Sequence, residues 1–289
     1  MPRFRTRRRR IPTTTNEGES RDPPQRRIQT AAERQPPGFL IIGTQRGGTT
    51  SLHRYLDAHP EIGTSWRKEV HYFDRFYEQG YDWYLANFPR RGRFRIVGEA
   101  SPFYMFDPRV PGRVAETLGE EVKFIVMLRN PVDRAFSMYQ MKVRRGVEEL
   151  DFEAALERER ECLSGRSDPG GREFQHYSYV KRGLYAEQLE RWFAAFPRER
   201  FHVIRSEDFY ERPGDELEAA QRFLGIRPHV PERLRAHNLR PYSSELDPAL
   251  RERLEEYFAP HNRRLYQLLD RDLRWERPDP GEPDPGRGR

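Results

Sequence analysis

The chain is expected to be an α/β protein, a single domain built on a parallel sheet with helices on both faces. Three observations predict it. Short apolar runs such as Phe39-Leu40-Ile41-Ile42 and Val122–Leu128 alternate with longer amphipathic stretches, as buried strands joined by helices do. The first run feeds straight into a glycine-rich turn and then a helix. Arg46, Glu99 and Arg129 each fall just past such a run, at the strand ends where open parallel sheets bind ligands.

Residues 1–37 hold ten arginines against four acids, with no periodicity, and read as a disordered tail. That tail accounts for the whole formal net charge of +6. The remaining sequence is balanced, so no nucleic-acid partner is expected for the folded domain, placed at 38–275. A nucleic-acid- or partner-binding protein acting through the tail is one alternative reading.

Phe39–Ile42 is the first strand, and Leu52, Tyr55 and Leu56 mark the helix after its turn. Gly80–Phe88 predicts a short helix, Phe94–Val97 a second strand, and Pro108–Leu118 a helix opened by proline. Val122–Leu128 is the third strand, followed at Pro131 by a helix reaching about Arg145. Asp151 caps a helix that ends at Cys162, a residue expected to be semi-buried. A polar loop spans Ser164–Gly171. Lys181–Phe196 is amphipathic, Phe201–Ile204 is a fourth strand, and Pro213–Leu224 is a helix. Asp247–Asp270 is a helix that Pro260 should bend or split, Trp275 is the last core residue, and 276–289 is a second disordered tail.

A mean hydropathy of −1.00 and the lack of a long apolar run argue against a membrane-spanning helix. One cysteine leaves no internal disulfide and no metal cluster. With no apolar segment following Arg7–Arg10, a cytoplasmic location is the expectation. Lysine is scarce, at positions 68, 123, 142 and 181, which makes each one worth attention.

The turn Gly43-Thr44-Gln45-Arg46-Gly47-Gly48-Thr49-Thr50-Ser51 carries the chemistry. Between a strand and a helix, its backbone N–H groups and positive helix end would face an anion, with three hydroxyls in reserve. Aligned with G-x-x-x-x-G-K-[ST], Gly43 and Gly48 fit, but Thr49 stands where a nucleotide triphosphate loop has lysine. A P-loop kinase or NTPase is therefore the weaker alternative. Arg46, inside the loop, is the nearest cation.

This loop resembles the 5′-phosphosulfate loop of sulfotransferases that use 3′-phosphoadenosine 5′-phosphosulfate (PAPS), particularly the heparan sulfate branch. The resemblance spans roughly Gly38–Trp275 and implies the sulfotransferase fold. It implies that Arg46, Gly47, Gly48, Thr49, Thr50 and Ser51 bind the donor, with 3′-phosphoadenosine 5′-phosphate (PAP) as product and no metal. Arg129 and Ser137, in LRNPVDRAFSMYQM, match the pair that grips the 3′-phosphate, and Arg134 is a nearby competitor more simply read as solvated. The stretch Lys68-Glu69-Val70-His71-Tyr72-Phe73 matches a segment whose glutamate is the general base. It implies Glu69 as base, Arg46 and Lys68 on the sulfonate and bridging oxygen, and His71 beside them. Glu99, Ser101 and Pro102 match a segment lining the acceptor cleft, with simple turn-making as the alternative. Tyr185 reads as packing. Arg240 would reach a cofactor phosphate from a lid loop. The acceptor expected is a saccharide or other small molecule bearing a hydroxyl, with an amine as the second choice.

Overall fold

The structure, a computed structural model, describes residues 22–163, 171–231, 234 and 244–276. Five parallel strands form one sheet: β1 (Phe39–Gly43), β2 (Ile62–Thr64), β3 (Ile96–Ala100), β4 (Lys123–Leu128) and β5 (Phe201–Arg205), in the order β2-β3-β1-β4-β5. Twelve helices are described: α1 (Gln25–Ile28), α2 (Thr49–Asp57), α3 (Tyr72–Arg75), α4 (Tyr81–Leu85), α5 (Val110–Leu118), α6 (Pro131–Arg144), α7 (Phe152–Cys162), α8 (Arg172–His176), α9 (Tyr185–Ala195), α10 (Ser206–Glu211), α11 (Pro213–Phe223) and α12 (Pro248–Leu269).

Alternation along β1 decides which helices cover which face. Leu40 and Ile42 join Phe124, Val126 and Leu128 under Val110, Val114, Leu189 and Trp192 of α5 and α9. Phe39 and Ile41 join Ile125, Met127 and Ile204 under Leu52, Leu56, Phe209 and Leu217 of α2, α10 and α11. Both faces are dry, which is why β1 and β4 read as nearly continuous apolar runs. Strand order reverses around β1, so the turns after β1 and β4 open onto one crevice.

Several boundaries differ from expectation for physical reasons. The second strand lies two residues later than Phe94–Val97 suggested. Phe94 packs instead at Gly63, where an added Cβ would come within 2.6 Å of its ring, and the strand runs on into Gly98-Glu99-Ala100. The first turn of the Lys181–Phe196 segment is a separate tight turn, Lys181–Gly183. α12 continues through Pro260 without splitting, capped by Asp247, whose side chain accepts from the N–H of Leu250. Asp151 caps α7 as expected, through the N–H of Ala154, but Cys162 is exposed.

Residues 22–37 belong to the fold, not to a tail. Arg27 forks onto the carbonyls of Ala86 at 2.6 Å and Phe88 at 2.7 Å, and Asp22 accepts from the Trp83 indole at 3.1 Å. Arg27 thus satisfies carbonyls just past the end of α4, a use that composition does not reveal. Residues 1–21, the loop 164–170, the lid with Arg240 and the tail 277–289 lie outside the described residues.

Candidate active site

The turn after β1 is built as a cradle. Gly48 sits at φ +98° as the residue before α2, in the left-handed region that disfavours a side chain. A Cβ on Gly47 would lie 2.9 Å from the Met127 carbonyl, so that backbone approach also needs glycine. The Ser206 hydroxyl, at the start of α10, donates to the Gly47 carbonyl at 2.8 Å and fixes the loop from below. Thr49 and Thr50 open α2, where first-turn N–H groups have no intrahelical acceptor. A phosphate fits such a site.

Arg46 stands in the left-handed region at φ 74°. Its Nε donates to Ser137 Oγ at 3.0 Å, and Arg129 Nη1 donates to the Arg46 carbonyl at 3.3 Å. The structure therefore joins Arg46, Arg129 and Ser137, whereas the resemblance assigns Arg46 and Ser137 to opposite ends of a nucleotide. Asn130 caps α6 by accepting from the N–H groups of Val132 and Asp133, and the Tyr185 hydroxyl donates to the Arg129 carbonyl at 2.8 Å. Tyr185 thus packs, as read, and also positions Arg129. Arg134 is fully buried and donates to the Tyr179 carbonyl, so it is neither solvated nor a competitor. Its place on the inner face of α6 is what a single sequence does not disclose.

The second half of the site hangs from β3. The N–H of Glu69 donates to the Ala100 carbonyl at 3.0 Å, and β3 pairs with β1, which ends in the cradle. Glu69 and His71 have φ of 61° and 56°, so with Arg46 they make three of the five non-glycine residues with positive φ among the described residues. Such conformations persist where surrounding structure enforces them, often at functional sites. The Glu69 side chain remains 39% exposed and receives Lys68 Nζ at 2.6 Å, with His71 Nε2 at 3.5 Å on its other oxygen. Partial burial pushes the carboxyl up, but Lys68 and His71 outweigh that and hold it well below the usual carboxylate range.

His71 Nδ1 lies 2.8 Å from Asp74 Oδ2, which is buried. Burial pulls the imidazole down, yet Asp74 and then Glu69 raise it to about 8, so it is an imidazolium at neutral pH. The chain Asp74–His71–Glu69–Lys68 is continuous. Asp74 directly follows the Lys68–Phe73 stretch, and the turn of α3 brings it back onto His71.

Glu99 does not line a cleft. It is fully buried and takes hydroxyl donors from Tyr84 at 3.0 Å, Tyr104 at 2.9 Å and Ser101 at 2.7 Å. Burial raises its carboxyl despite those bonds. Ser101 Oγ accepts from the His71 N–H, and the Tyr104 hydroxyl accepts from the Tyr72 N–H. Glu99 therefore braces the backbone that presents Glu69 and His71. Glu99 lies on β3 itself, and Ser101 and Pro102 lead into the turn that follows it.

Sequence reasoning missed Arg75, Lys142, Arg182 and His53. Arg182 donates to the side chain of Gln45 in the cradle and stacks over Phe103 at 4.7 Å. His53, on α2, is buried and pushed down to about 3, first by burial and then by Lys68. Only the scarcity of lysine pointed toward any of these.

A glycine turn shaped to receive a phosphate, next to the Glu69–His71 pair on a five-stranded parallel sheet, is an arrangement suited to group transfer. The sulfotransferase domain family matches residues 36–243, and the chain belongs to it. It is 31% identical to the human heparan sulfate glucosamine 3-O-sulfotransferase 6, over 84% of this chain and 74% of that protein. It is 27% identical to the membrane-associated sulfotransferase kil1 of Dictyostelium discoideum, over 83% of this chain and 66% of that protein. A sulfotransferase structure from Alicyclobacillus acidocaldarius superimposes with a TM-score of 0.71 at 36% identity, covering 84% of this chain and all of that one. The chain is thus a sulfotransferase, with the fold that the sequence implied.

Proposed function

We propose that this enzyme moves the sulfonate of PAPS to a hydroxyl, with an amine the second choice, of a carbohydrate-containing or small-metabolite acceptor. Glu69 serves as the general base. The observation that carries this reading is the placement of Arg46, Arg129 and Ser137 beside the cradle while Glu69, paired with an imidazolium, hangs from the adjacent strand. The names of several relatives, heparan sulfate glucosamine 3-O-sulfotransferases, support a saccharide acceptor.

PAPS supplies an activated S–O bond. The cradle N–H groups and Arg46 hold its 5′ end, and Arg129 forks onto the 3′-phosphate with Ser137 once Arg46 releases that hydroxyl. Glu69 accepts the acceptor proton as the acceptor oxygen bonds to sulfur and the sulfur–phosphate oxygen bond breaks. Lys68 and Arg46 stabilise the charge gained by the departing phosphate, leaving PAP. Lys68 holds Glu69 in the structure, so its turn toward the bridging oxygen would also raise the basicity of Glu69 when proton removal begins. We also propose a cytoplasmic location, to be tested by cell fractionation.

Glu69→Gln tests the base. Turnover should fall by about 10²–10⁴ while PAP affinity by calorimetry stays unchanged. A variant with wild-type turnover would remove Glu69 from the role.

A further inference from the structure

Residues 65–70 lie between β2 and α3 with no helix or strand of their own, so their shape depends on what ties them down. β3 holds two points. The N–H of Ser65 donates to the Gly98 carbonyl at 3.1 Å, and that of Glu69 to the Ala100 carbonyl at 3.0 Å. Between those points Trp66 is held twice by one residue. Its backbone N–H donates to the Asn87 carbonyl at 2.9 Å, and its indole Nε1 donates to Asn87 Oδ1, also at 2.9 Å.

Asn87, just past the end of α4, is buried and fully engaged. Its amide nitrogen donates to the carbonyls of Trp83 at 2.9 Å and Tyr84 at 3.3 Å, which sets Oδ1 toward Trp66. Arg27 brackets it, bonded to the carbonyls of Ala86 and Phe88 on either side, and Arg34 Nη1 adds a donor to Phe88 at 3.4 Å. The Arg27 guanidinium also lies 6.0 Å from the centre of the Trp66 ring, and that of Arg67 lies 4.6 Å from it.

Glu69 comes three residues after Trp66 and keeps a φ of 61°, a conformation that its surroundings must impose. The bonds to β3 fix the two ends of the stretch, and the Trp66–Asn87 pair fixes the middle. With the middle tie removed, the backbone before Glu69 gains freedom to relax that φ and swing the carboxylate off His71.

We propose that Trp66 and Asn87, backed by Arg27, are positioning residues that hold Glu69 against His71 for proton transfer. The folded segment 22–37 thereby takes part in presenting the base. This rests on Glu69 serving as that base.

Trp66→Phe keeps an aromatic ring and removes the indole donor. In the full-length protein kcat should fall by about tenfold to a hundredfold, as it does when a catalytic group is misplaced, while KM for PAPS and calorimetric affinity for PAP stay native. The direct readout is the NMR midpoint of His71, assigned with His71→Gln; its ring faces Asp74, Glu69 and Arg75. That midpoint should fall toward the value in Glu69→Gln, by roughly half a unit, a threefold loss of proton affinity. Arg27→Met tests the backing from outside the stretch and should move kcat and the midpoint the same way, by less. Lower thermal stability with a native kcat and a native His71 midpoint would make the pair merely structural and overturn the proposal, as would variants that match the native protein throughout. Failure of the base reading shows separately: Glu69→Gln turning over at the native rate removes the base, while the His71 midpoint in Trp66→Phe still reports whether the pair holds Glu69.

Discussion

Asp74→Asn isolates the electrostatic device behind Glu69. In the native protein the buried Asp74 carboxylate lies 2.8 Å from His71 Nδ1 and is the largest influence raising the imidazole to about 8. Asparagine keeps the shape and a carbonyl acceptor but removes the charge. Burial then acts with little opposition, and His71 should titrate at or below its ordinary 6.5. A fall from about 8 to 6.5 corresponds to about 2 kcal/mol of preference for the charged ring. The sign follows from linkage. Because the folded value is raised, this stabilisation is fully present below pH 6.5 and is lost as pH rises through about 8. The assay is proton NMR of the His71 ring together with the pH dependence of kcat/KM. The native enzyme should lose activity above about pH 8 as the imidazolium beside Glu69 disappears, and in the variant that limb should move to acid pH. A variant ring that still titrates near 8, or an unmoved alkaline limb, would refute the reasoning.

Gly48→Ala places a Cβ at φ +98° and 3.1 Å from the Tyr210 hydroxyl. It should cost about 1–2 kcal/mol and weaken PAP by calorimetry; unchanged binding would show that the cradle tolerates a side chain. Ser101→Ala removes a donor to Glu99 and an acceptor for the His71 N–H. Denaturant unfolding should show a loss of about 1–3 kcal/mol, with turnover falling more than PAP affinity. A fully stable, fully active Ser101→Ala protein would release Glu99 from its bracing role.

The parts of this molecule that were legible in the sequence are local. Strand, glycine turn and helix are contiguous from Phe39 to Asp57, so periodicity and turn chemistry sufficed. Arg129 and Ser137 were singled out by the family resemblance, and they lie just past the end of β4 and on α6. What failed was tertiary. Ser137 meets Arg46 across 91 positions, and nothing in either segment reports that contact. Glu99 was read onto the acceptor cleft because its three hydroxyl partners come from α4 and from the turn after β3, which the sequence around it does not disclose. β2 is three residues long and one of them is glycine, too little for an alternation to register. α10 follows β5 directly, with Phe209 as its buried apolar residue, and went unread. Arg75 and Arg182 were hidden among 52 basic residues, since an arginine that the fold engages and a solvated one look alike until the fold brackets them.

The central claim is that one pocket grips an adenosine nucleotide at both phosphate ends, with Arg129 reading the 3′ end. Calorimetric titration of the native protein and Arg129→Ala with PAP and with adenosine 5′-phosphate tests it most directly. Losing charge-assisted hydrogen bonds worth about 1.5–3 kcal/mol should weaken PAP by roughly tenfold to a hundredfold, while adenosine 5′-phosphate binds both proteins alike. Equal losses for the two nucleotides, or a native protein that ignores PAP at saturating concentration, would contradict it.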